Sequence, residues 1–132
     1  QRLFPHHFKN IVFLSVGVID TGQFKGHQEI ESLRHSTEEN LRSCVEFANC
    51  LGWYAEYRYD LGVDLIGELE SLCEAVGKEF PRAVFFSGKL VFQKENVFTR
   101  LLHNHTPFTL QQRLQFAGRD MMILPIRVFA PA

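Results

Sequence analysis

From Ile11 to Ile19 the chain reads IVFLSVGVI, almost continuously apolar and rich in β-branched residues. That pattern predicts a strand buried on both faces, central in its sheet. Further on, Ser36 and Glu39 stand at capping-box spacing, and Leu41, Val45, Ala48 and Leu51 then recur at helical intervals until Gly52. This predicts a first helix, with room for an earlier turn around Ile30 and Leu33. The next segment, WYAEYRYDLG, sets Ala55, Tyr57 and Tyr59 against Glu56 and Arg58, as a strand with one wetter side does. It is placed at a sheet edge.

Asp64 can cap a second helix, in which Leu65, Leu69, Leu72, Val76 and Phe80 share a face and which Pro81 stops. RAVFFSGKLVF returns to a dense apolar strand, with Ser87 to Lys89 read as a loop where the chain leaves it. Val97, Leu101 and Leu102 suit a short helix. A separate one starts with Thr106 as cap and Pro107 at its first position, and runs through Leu110, Leu114 and Ala117 to Gly118. MMILPIRV is the last strand, and Pro125, which has no N–H for a ladder, assigns it to the other edge.

Strands alternating with helices imply right-handed crossovers and a mainly parallel sheet covered on both faces. With apolar strands inside and the amphipathic and proline-bearing strands outside, the expected order is 2-1-3-4 in one doubly wound, four-stranded sheet. A topological switch point then falls between strands one and three, where Asp20, Thr21 and Gly22 would face Ser87, Gly88 and Lys89 across a crevice.

Composition narrows the function classes. A chain of 132 residues with 13 Phe and a 45% hydrophobic fraction has material for one core, which excludes disorder. A formal net charge of -1, with no run of lysine and arginine, argues against nucleic acid as a partner. Cys44, Cys50 and Cys73 are odd in number and include no C-x-x-C pair, so a reducing compartment is expected, with Cys44 and Cys73 packing as small apolar residues. No apolar run approaches the roughly 18 residues of a membrane span, and no charged leader precedes one. The start at Gln1 suggests a piece of a longer polypeptide, with residues 1–8 as a linker and 9–132 as a single α/β domain.

The candidate chemistry is sparse. Gly17, Gly22 and Gly26 do not have the G-x-G-x-x-G spacing of a dinucleotide fold, and SGKLV lacks the earlier glycine and the Ser or Thr of a Walker loop. What remains is Asp20, Thr21, Gly22, Ser87, Gly88 and Lys89, sufficient for a phosphate or ribose contact but equally suited to turns. His103 and His105 have no third ligand at a recognised spacing, and neither do His6 and His7, so no metal is expected. Ser87 lacks a nucleophile elbow, and no catalytic set is found. Strand two is unusually aromatic for an edge: Trp53, Tyr54, Tyr57 and Tyr59 form a candidate partner surface, against the simpler reading that Trp53 and Tyr57 pack beneath a helix.

FKNIVFLSVGVIDTGQFKG, FFSGKLVF and LLHNHTPFTLQQRLQFAG followed by MMILPIRV together resemble the C-terminal cytoplasmic domain of transporters in the amino acid, polyamine and organocation superfamily. The likeness is to prokaryotic amino acid permeases and, more distantly, to cation-chloride cotransporters, over about Lys9 to Val128. It implies a fold similar to universal stress proteins and a noncatalytic regulatory role at the cytoplasmic face of the membrane, and the aromatic edge of strand two is then expected to meet either the membrane-embedded part of the same transporter or, in a homodimer, a second copy. Nucleotide-binding universal stress proteins carry G-x-x-G and a later G followed by Ser or Thr. Here Gly88 matches the first glycine, but Val91 stands at the second and Asn104 to Thr106 at the later pair. The resemblance therefore implies no cofactor and a phosphate site largely lost, with adenine-nucleotide sensing in the crevice as the alternative.

Overall fold

The computed structural model describes residues 4–22, 26–92 and 97–128, with the side chains of 89–92, 97–104 and 127–128 outside that description. The chain runs β1 (Asn10–Val18), α1 (His27–Cys50), β2 (Tyr54–Gly62), α2 (Leu65–Glu79), β3 (Phe85–Phe92), α3 (Val97–Phe116) and β4 (Met121–Val128). Strand and helix alternate as the apolar patterning predicts. β2 pairs with β1 and β4 with β3, both in parallel, in two two-stranded sheets. The fold is thus a small mixed α/β arrangement, and its residues cluster into two compact units, Gln1–Leu72 and Cys73–Ala132. Among the described residues no helix is long and apolar enough to cross a membrane.

In the first unit, α1 packs on both β1 and β2. Its buried residues Thr37, Leu41 and Ala48 follow helical spacing. The helix approaches closely over Gly17: a Cβ there would lie 2.5 Å from Cδ2 of Leu61, 3.0 Å from Oγ1 of Thr37 and 3.1 Å from Cγ of Leu33. Gly17 is paired with Leu61, so β1 lends α1 a flat spot beside a branched neighbour. The ladder extends one step past the strands, the Ile19 N–H donating to the Gly62 carbonyl at 2.8 Å.

α1 starts at His27, well ahead of Ser36. The capping-box expectation is corrected here. Ser36 sits inside the helix and its hydroxyl donates back to the Leu33 carbonyl at 3.1 Å, as Ser43 does to the Glu39 carbonyl. Such back-bonding lets hydroxyl residues sit in a helix interior without starting a new one.

In the second unit, α3 packs on β3 and β4. Phe85, Met121, Leu110 and Leu114 are buried there, Leu114 to 1% exposure, and Nε2 of Gln111 donates to the Met121 carbonyl at 3.0 Å. The two helical pieces expected around Thr106 form one helix with Pro107 inside it. Pro107 is buried on the stripe that continues through Leu110 and Leu114. Its ring gives up a helix N–H, a change that costs about 3 kcal/mol in a helix interior, in exchange for a place on the buried face.

Both long helices end as their glycines predict. After α1, Gly52 has φ 86°, its N–H donates to Asn49 and that of Trp53 to Ala48; after α3, Gly118 has φ 75°, with Gly118 donating to Gln115 and Arg119 to Leu114. These are two Schellman motifs, in which only glycine adopts the left-handed turn without steric cost. Asp64 precedes α2 and accepts its first helical bond from the Glu68 N–H at 3.0 Å, as expected of a cap position.

Candidate functional site

Asp20, Thr21 and Gly22 lie exposed after β1. Oδ1 of Asp20 accepts the Gly22 N–H at 3.0 Å. That turn occupies the amide a phosphate would need and sets a carboxylate beside it, which disfavours an anion there. The following helix has no side-chain cap at Gly26, and a shallow open hollow at its start is lined by His27, Gln28, Glu31 and Ser32. Glu29 in the first turn complements the helix dipole.

Ser87, Gly88 and Lys89 do not form a loop. They lie within β3 opposite Ile123, Leu124 and Pro125 of β4, which corrects the sequence expectation. What Gly88 accommodates is a long-range neighbour: the Ile126 side chain leans over it and fills the space a Cβ would take. A strand glycine of this kind marks close cross-strand packing rather than a turn. The side chain of Lys89 lies outside the described residues. The two triplets of the expected crevice belong to different sheets, Asp20 to Gly22 following β1 and Ser87 to Lys89 within β3.

The aromatic residues of β2 divide between its two faces. Tyr57 and Tyr59 stack with ring centroids 6.3 Å apart, and the Tyr57 hydroxyl donates to Oε1 of Glu38 on α1 at 2.8 Å. Arg42 donates to the same oxygen at 2.9 Å. The Glu38 carboxyl is held below the usual carboxylate range, chiefly by the Tyr57 hydrogen bond and then by Arg42. Tyr59 similarly engages Arg34, which also faces Glu31 at 3.5 Å. These two tyrosines therefore knit α1 to β2. Trp53 is half-buried. Of the four expected residues, Tyr54 alone is strongly exposed, at 67%.

Tyr54 has company that the helical pattern concealed. Phe47 is 68% exposed and Leu51 59% exposed. The Leu51 N–H donates to the Phe47 carbonyl and the Trp53 N–H to that of Ala48, so Phe47 and Leu51 flank the tight end of α1 that leads into β2 at Tyr54. Leu51, expected in the core, stands at the C-cap beyond the helix's last turn. Phe47 lies off the Leu41–Ala48 stripe, and that misplacement was its readable signal.

The remaining candidates carry little chemistry. Cys73 is buried and desolvation pushes its thiol up to about 11, whereas Cys44, expected to be packed, is exposed, as is Cys50. His6 and His7 are exposed, and His105 lies with Nδ1 3.2 Å from the Thr109 hydroxyl; the side chain of His103 lies outside the described residues. Among the described residues no three His, Cys, Asp or Glu side chains converge as a metal site would require. No protein-family model, curated protein or solved structure matches the chain.

Proposed function

We propose that this chain is a noncatalytic regulatory and assembly domain of a secondary membrane transporter of the amino acid permease type, acting through contacts rather than chemistry. The observation that supports it best is the exposure of Phe47, Leu51 and Tyr54, three large apolar-bodied side chains where the chain passes from α1 to β2. Surface aromatic and aliphatic groups exposed in this way suit a macromolecular contact better than a small-molecule site. The partner in this proposal is the membrane-embedded part of the same transporter, at the cytoplasmic face, with a second copy of the domain as the outcome to be distinguished. The finer architecture belongs to the same proposal: β1 beside β3, completing one universal-stress-protein-like sheet of order 2-1-3-4.

The deciding experiment reads the coding sequence upstream of Gln1. About a dozen apolar segments of spanning length are expected there, and their absence removes the transporter reading. In the full-length protein, Phe47→Glu and Tyr54→Glu should then alter transport while leaving the fold intact. A loss of self-association in the isolated domain instead assigns these residues to a homodimer.

A further inference from the structure

We draw no further inference here: the strongest candidate, the outward apolar face of the β3–β4 pair with Met122 at 42% and Ile126 at 49% exposure, carries nothing because no feature of the structure shows what covers it.

Discussion

The carbonyl of Gly77, in the last turn of α2, accepts a hydrogen bond from Nη1 of Arg119 at 3.0 Å. Carbonyls in a final helical turn have no partner within the helix, and a cation there also meets the negative end of the helix dipole. Gly77 makes the approach possible, since a Cβ on it would lie 2.6 Å from Cζ of Arg119. Gly77→Ala should therefore fail to deliver the gain of about 1 kcal/mol that replacing a helix glycine normally brings. In an Arg119→Ala background the same change should deliver it. A double-mutant cycle by urea denaturation measures the difference, and additive effects would mean that the contact contributes nothing.

Gly17 is a stricter case. Its neighbours Leu61, Thr37 and Leu33 come from a strand and a helix packed together, so no single flexible tip can move aside. Gly17→Ala is expected to cost about 1–3 kcal/mol, the usual penalty of overpacking. A denaturation midpoint equal to that of the unmodified chain would show that α1 rides further from β1 than the structure places it.

The element order was legible because strand and helix periods differ so sharply, and the stops at Gly52 and Gly118 because left-handed turns nearly demand glycine. The helix start was not. Ser36 followed by Glu39 looks identical at a cap and in a helix interior, and only the hydroxyl's bond to Leu33 separates the two. Gly88 misled in the same manner, since its reason for being glycine is Ile126, a residue far along the chain. Alternation along β2 correctly grouped Tyr57 with Tyr59 and set Tyr54 apart. Its wetter side, Glu56 and Arg58, also pointed by contrast to the face that α1 takes, with Tyr57 bonded to Glu38 of the helix and Tyr54 left exposed on the other side.

Acid should loosen the bond between α1 and β2. Glu38 has a folded pKa below its unfolded value, so its contribution is present above the ordinary carboxylate pKa and is lost as pH falls through the depressed one. Tyr57→Phe removes the largest cause of that depression. The variant should show a shallower fall in stability below the ordinary carboxylate range, read from denaturation midpoints across a pH series. An unchanged slope would assign the acid sensitivity to other carboxylates.

Nucleotides should not bind at the Asp20 turn. A ligand at a hundred times its dissociation constant stabilises the folded state by about 2.7 kcal/mol, a clear shift in a thermal melt. With millimolar ATP, AMP or cyclic dinucleotides no shift is expected, because the Gly22 amide is already engaged by Asp20. A shift that Lys89→Ala abolishes would instead establish the nucleotide-sensing alternative.

All three tyrosines and the single tryptophan precede Leu72, within the unit Gln1–Leu72. Intrinsic tyrosine and tryptophan emission therefore arises from residues of the first unit alone, whereas far-ultraviolet dichroism registers the helices of both units. α2 runs unbroken from Leu65 to Glu79 across the boundary between them. The two signals make this chain its own test of cooperativity: superimposed melting curves mean that both units unfold in one event, and separated curves give each unit a stability of its own.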